Sequence, residues 1–125
     1  MLMAVPRCGI PQEEIIYALV SWDVLKLEDT YFSDGNARAN ETLFYQGIEN
    51  LNKIDFNAVK ARYWGDKGAE FKRCKQAEVL RRGCVLLSEI KGFVVYNDAI
   101  KIKVETMLNS SNVQKKVFVV REYYY

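Results

Sequence analysis

The last third of the chain constrains the fold most. Residues 89–96 (EIKGFVVY) form the clearest β-prone run. Asn97 follows as a good N-cap, and Ile100, Val104, Met107 and Leu108 recur on one side of a helix to about Leu108. Asn109-Ser110-Ser111-Asn112 reads as a turn, and residues 116–121 (KVFVVR) as a final strand. A change of apolar period from strand to helix and back requires both elements to bury their apolar faces in one packed body.

Upstream the pattern is less regular. Residues 13–20 (EEIIYALV) are expected to form a buried strand, and residues 23–30 a connector or one helical turn. A short strand is expected at residues 31–33, followed by a tight turn at Asp34-Gly35-Asn36, residue types that tolerate positive φ. Leu43, Phe44, Ile48 and Leu51 predict a helix over residues 37–51, with Gly47 as its weak point. Asp55 predicts the N-cap of a second short helix through Arg62. Residues 63–75 (YWGDKGAEFKRCK) read as a surface loop, and residues 77–82 (AEVLRR) as a strand that Val85–Leu87 either continues or turns from. This is not a clean strand–helix alternation, so the fold class is α+β. The first strand begins almost at once, with nothing ahead of it to cover it.

With 125 residues the chain is one domain or part of one, and an apolar half is enough to build a core. The net charge of +2 is compatible with a nucleic-acid partner without arguing for one. Three cysteines (Cys8, Cys74 and Cys84) form no CxxC pair, and there is no histidine. A zinc site and a disulfide framework are therefore not expected, and Ser-His-Asp or Cys-His catalysis is excluded within this chain. No apolar run is long enough to span a bilayer, and residues 1–10 lack a secretory core, so a cytoplasmic setting with reduced thiols is expected.

Candidate chemistry concentrates in two stretches. Tyr63 to Arg82 carries Lys67, Lys72, Arg73, Lys75, Arg81 and Arg82 with Tyr63, Trp64 and Phe71. Such side chains neutralise phosphates and stack on bases, although a solvated loop with Trp64 anchored in the core has the same composition. Gln76-Ala77-Glu78 closes it, and a carboxylate at the start of a strand after a loop can sit at the rim of a cleft. By itself Glu78 reads as an ordinary surface charge. In Phe32-Ser33-Asp34-Gly35-Asn36-Ala37, Asp34 and Asn36 are candidates to present polar groups to a ligand. Cys74 lies among Lys72, Arg73 and Lys75, which predicts a lowered thiol pKa. The Tyr123-Tyr124-Tyr125 ending is expected to pack on the core.

The order of these pieces resembles the DarT family, the toxin half of bacterial toxin–antitoxin pairs. The resemblance is carried by FSDGNA, by Thr42, Phe44 and Tyr45, by Leu51 with Ile54-Asp55-Phe56, by Trp64 and by KRCKQAEVL. QEEIIYALV and VFVVREYYY extend it to nearly the whole chain. It implies an ADP-ribosyltransferase fold, a split mixed β-sheet around an NAD cleft. It implies transfer of ADP-ribose from NAD, a co-substrate used without a metal, to a base in single-stranded DNA, thymine rather than guanine. It maps the catalytic glutamate onto Glu78 and the target-recognising loop onto roughly residues 63–77, including Trp64, Lys72, Arg73, Lys75 and Gln76. It also implies a DarG-like macrodomain antitoxin as partner.

In that family an N-terminal half, which supplies much of the NAD pocket and a catalytic arginine, precedes the segment that Met1-Leu2 resembles. Arg7 does not stand in a matching motif. Residues 1–125 are thus expected to be a single partial domain, the C-terminal part of a DarT-like enzyme. A second reading is a catalytically inactive module that binds single-stranded DNA or an antitoxin. A sheet without its partner strands is expected to expose apolar surface and an open edge, and so to be poorly soluble.

Overall fold

A computed structural model of the chain describes residues 9–124. Met1, Leu2, Arg7 and Cys8 lie outside the described residues, as does Tyr125. The described residues form six strands and three helices: β1 (Tyr17–Val20), β2 (Thr30–Ser33), β3 (Phe44–Tyr45), α1 (Phe56–Lys60), α2 (Ala69–Lys75), β4 (Val79–Arg81), β5 (Ile90–Val95), α3 (Asp98–Ser110) and β6 (Lys116–Val119). Short 3-10 turns lie between β1 and β2, between β3 and α1, and between β4 and β5. The chain divides into two compact units, one of Met1–Ser21 with Leu86–Tyr125 and one of Trp22–Val85.

The first unit is a mixed three-stranded sheet in the order β1-β5-β6, with β1 antiparallel and β6 parallel to β5. Parallel neighbours need a long crossover, and α3 provides it. Asn97 caps α3 as expected, its side chain accepting from the Ile100 N–H at 2.9 Å. Val104 on α3 is buried against Val95 and Val117, with Phe93, Ile100 and Leu108 around them. Asn112, in the left-handed region at φ 54°, reverses the chain after the helix. Tyr124 is buried, its hydroxyl within reach of the Ile15 carbonyl at 2.7 Å and the Val94 carbonyl at 3.1 Å. Its ring meets Tyr17 and Tyr96 edge to face, so Tyr124 packs on the core as expected, whereas Tyr123 is half exposed and its ring only edges against Tyr17.

The second unit is an antiparallel sheet in the order β3-β2-β4, with α1 and α2 beside it. Phe32 faces Tyr45 on one side and Val79 on the other. Asp55 caps α1 by accepting from the Asn57 and Ala58 N–H groups, both at 3.0 Å, as the sequence predicts. Arg81 on β4 pairs with Asp29 at 3.2 Å.

Several local expectations are corrected. The first strand is shorter than expected: residues 13 and 14 belong to a 3-10 turn, Gln12–Glu14, and β1 starts at Tyr17. No helix covers residues 37–51. Gly47 sits at φ +84°, which a continuous helix cannot accommodate, and β3 and the 3-10 turn Ile48–Lys53 take its place. Residues 69–75 are not loop but the helix α2, started at Gly68 and carrying Glu70 in its first turn and Lys72, Arg73 and Lys75 in its last. That charge order complements the helix dipole, a signal hidden by the dense charge and the flanking glycines. Among the described residues no helix is long and apolar enough to cross a membrane. Trp22 is 70% exposed and Tyr63 88%, and Leu43, Phe44 and Val79 also face solvent.

Candidate active site

Glu78 stands immediately before β4, and β2 sets its position. The Ser33 N–H donates to the Glu78 carbonyl at 2.9 Å, and the Glu78 N–H donates to the Ser33 hydroxyl oxygen at 3.2 Å. The buried Ser33 hydroxyl donates in turn to the Gly35 carbonyl at 2.6 Å. The backbone of Glu78 is thus tied to the end of β2 by both its polar groups. The exposed side chain reaches the turn after β2, where its Oε1 accepts from the Ala37 N–H at 3.2 Å.

An apolar pocket of about 170 Å³ opens beside this carboxylate, walled chiefly by Trp22, Leu25, Phe32, Ile54, Phe56 and Val79, with Glu78 and Ser33 among its lining residues. The strands supply Phe32 and Val79, and α1 with the turn before it supplies Ile54 and Phe56. A carboxylate at the edge of an apolar recess is favourably placed to stabilise positive charge developing on a ligand there, since a ligand that fills the recess displaces the water that would screen the attraction.

The turn facing Glu78 is held by Arg73 on α2. The Arg73 guanidinium is 13% exposed and donates to Asp34 at 2.7 Å, to Glu70 at 2.7 and 2.9 Å and to the Thr42 hydroxyl at 3.1 Å. Its carbonyl accepts the Asn36 N–H at 3.0 Å. Asp34 also accepts from the Leu43 N–H at 3.0 Å, and the Thr42 hydroxyl donates to the Asn36 carbonyl at 2.7 Å. The hydrogen bond from Arg73 is the chief reason that Asp34 lies below its ordinary carboxylate pKa; the same donor draws Glu70 down to about 2.

The sequence-predicted residues therefore divide. Asp34 and Asn36 face the protein: Asp34 binds Arg73, and the Asn36 amide donates to Gln76 Oε1 at 2.5 Å. Gln76 also donates to the Lys72 carbonyl at 3.0 Å, and Lys75 Nζ donates to the Val59 carbonyl at 3.0 Å. Arg73, grouped by sequence with the phosphate-facing cations, is turned inward by Asp34, Thr42 and Glu70. Gly35 does not serve a positive-φ turn. A Cβ there would lie 2.9 Å from Arg73 Cγ, so glycine lets the arginine cross the backbone. Trp64 and Lys72 are half-buried, while Tyr63 and Lys67 are exposed. The expected lowering of the Cys74 thiol is reversed, since burial first and then the hydrogen bond to Glu70 push it up. Ser33, Thr42, Glu70 and the Ala37 N–H escaped sequence reasoning; only the fold brings them to Asp34, Arg73 and Glu78. No cluster of three or more His, Cys, Asp or Glu that could hold a metal occurs among the described residues.

The family model described as DarT, ssDNA thymidine ADP-ribosyltransferase, matches residues 1–125. The chain belongs to the DarT family. A DNA ADP-ribosyl transferase–DNA ADP-ribosyl glycohydrolase fusion protein of Thermosipho africanus (strain H17ap60334) is 27% identical over 106 residues, 84% of this chain and 27% of that protein. A DNA ADP-ribosyl transferase of Escherichia coli O127:H6 (strain E2348/69 / EPEC) is 24% identical over 120 residues, 92% of this chain and 55% of that protein. This chain thus spans about a quarter and about half of these two relatives. Among solved structures, Thermus sp. 2.9 DarT in complex with NAD+ superposes with a TM-score of 0.89 at 23% identity, over 99% of this chain and 66% of that one. The same protein in complex with ADP-ribosylated ssDNA gives 0.89 over 63% of its length. The α+β fold with its split mixed sheet is thus the DarT fold, as the sequence resemblance implied, over part of the DarT chain.

Proposed function

We propose that this chain supplies the glutamate-bearing part of a DarT-type enzyme that transfers ADP-ribose from NAD to thymine in single-stranded DNA. The observation that carries this reading is Glu78: a carboxylate tethered at backbone and side chain, at the rim of an apolar recess, in a chain of the DarT family. Breaking the nicotinamide–ribose bond sends the bonding pair to the nicotinamide and leaves positive charge on the ribose. Glu78 stabilises that charge, and as the base nitrogen bonds to the ribose carbon it takes the proton which that nitrogen loses. One of its oxygens is held by Ala37, which leaves the other to meet the reacting groups. Exposed Tyr63 and Lys67, with Lys72 and Trp64, provide stacking and phosphate contacts for a strand. NAD acts as co-substrate, and a DarG-like macrodomain protein in the same cytoplasm is the matching antitoxin.

Residues 1–125 correspond on this reading to one partial domain, so the test uses them joined to the N-terminal part of a DarT relative. That protein modifies a thymine-containing single-stranded oligonucleotide in the presence of NAD. Glu78→Gln lowers the rate by roughly 10²-fold or more, the scale set by loss of a transition-state electrostatic contact. Undiminished transfer by Glu78→Gln would remove the assignment.

A second reading is favoured by the exposed aromatic and basic groups between Tyr63 and Lys67, which need no NAD pocket. In it the chain is an inactive module that binds single-stranded DNA or an antitoxin. Its mark is salt-dependent binding of an oligonucleotide by the 125-residue chain, with no transfer by the fused protein.

A further inference from the structure

We propose that Arg73 is a positioning residue that aims the Glu78 carboxylate through Thr42 and the Asn36–Ala37 peptide. The proposal rests on the reading of Glu78 as the catalytic carboxylate.

One peptide unit lies between the Thr42 and Glu78 side chains. The Asn36 carbonyl and the Ala37 N–H belong to the same rigid plane, so the direction of one fixes the direction of the other. The Thr42 hydroxyl holds the carbonyl end at 2.7 Å beside the Ala39 N–H at 3.0 Å, and Glu78 Oε1 accepts from the N–H end at 3.2 Å. A hydroxyl rotates freely until something takes its lone pair. Arg73 can only donate, so its contact at 3.1 Å leaves the Thr42 proton to point at the Asn36 carbonyl. The preceding peptide is held from the same residue, because the Arg73 carbonyl accepts the Asn36 N–H. Arg73 thus acts on both peptides that flank the Asn36 Cα, on one directly with its main chain and on the other through Thr42.

The guanidinium itself has little freedom. Asp34 and Glu70 hold it from two sides, and Gly35 gives it room to cross. Donor and acceptor alternate from Arg73 through Thr42 and the peptide to Glu78, so each hydrogen bond polarises the next. The carboxylate is therefore presented in one orientation by a residue that never contacts it.

The test reads geometry without activity. In the 125-residue chain, the Ala37 amide proton is followed by NMR as pH is varied. Its pH response is lost in Glu78→Gln, which separates the part due to that carboxylate from any response to Asp34. Arg73→Lys, which keeps the charge but loses the planar fork, loses most of the Ala37 response. So does Thr42→Val, which keeps the shape but removes the hydroxyl, whereas Thr42→Ser restores it. A folded Arg73→Lys and a Thr42→Val that both keep the full response overturn the proposal. Should Arg73→Lys fail to fold, the Thr42→Val and Thr42→Ser pair decides alone. Transfer activity of Glu78→Gln judges the catalytic reading separately, so either idea can fail while the other stands.

Discussion

Arg73 and Asp34, 39 residues apart in sequence, meet at 2.7 Å with only 13% and 15% of their side chains exposed. The contact joins α2 to the turn after β2, and so ties the segment leading into Glu78 to the residues that face it.

Removing one member leaves the other charged and largely desolvated. Asp34→Ala is expected to destabilise the chain by about 2 kcal/mol, below the range for leaving a buried charge unpaired, because Glu70 still accepts from Arg73. Asp34→Asn, which keeps acceptors for Arg73 and Leu43, is expected to cost less. Urea unfolding at pH 7 followed by circular dichroism checks both, and a loss no larger than that of an exposed surface substitution would contradict the clamp.

The clamp should weaken in acid. Asp34 and Glu70 both have depressed pKa values, chiefly because Arg73 donates to them, and Glu70 falls from 4.5 to about 2. The folded state thus binds fewer protons than the unfolded one. The contribution to stability is complete above the ordinary carboxylate range and is lost as pH falls toward 2. Solvent screens Glu70, so most of the effect belongs to Asp34. The stability difference between the native chain and Arg73→Lys is expected to shrink steadily between pH 5 and about 2 in parallel melts.

Gly35→Ala is a steric probe of the same place. The added methyl meets an arginine held by Asp34, Glu70 and Thr42, so the cost is expected near 2 kcal/mol, within the range for overpacking. Pairing it with Arg73→Ala should recover part of the loss, since the methyl then fills vacated space. Strict additivity of the two losses would argue against the crowding.

The two described thiols should differ in reactivity. Cys84 is exposed, whereas burial and Glu70 push Cys74 up. Iodoacetamide at neutral pH is expected to label Cys84 first, with peptide mass spectrometry as the readout. Faster labelling of Cys74 would mean that its basic neighbours prevail after all.

The legible parts of the sequence were those governed by local chemistry. Asp55 and Asn97 announce their helices because a cap is made within four residues. EIKGFVVY and KVFVVR announce β5 and β6 because their apolar, β-branched runs favour extended chain, with Val94, Val95 and Val117 buried from them. The parallel pairing of those strands was not legible, since it depends on where α3 returns the chain. Residues 37–51 misled because their apolar spacing suits a helix, while Gly47 and the hydrogen bonds of Thr42 and Leu43 hold the segment in another shape. Motif order singles out Glu78, Gln76 and Asn36, and the structure sets them close together, with Asn36 donating to Gln76 and Ala37 to Glu78. The inward turn of Arg73 was not, because its partners Asp34 and Thr42 come from distant sequence.

The double tie between Ser33 and Glu78 also bears on how such chains can change in length. Neighbouring residues of a strand point to opposite faces, so a slip of one position would exchange Glu78 with Val79 or Ala77. A single insertion or deletion between Glu78 and Arg81 would therefore move the carboxylate away from Ala37. The segment from Arg62 to Gly68 carries no strand pairing and can lengthen or shorten freely. Relatives should accordingly vary in the reach of that segment while keeping a constant distance, counted in residues, from the glutamate to the end of its strand.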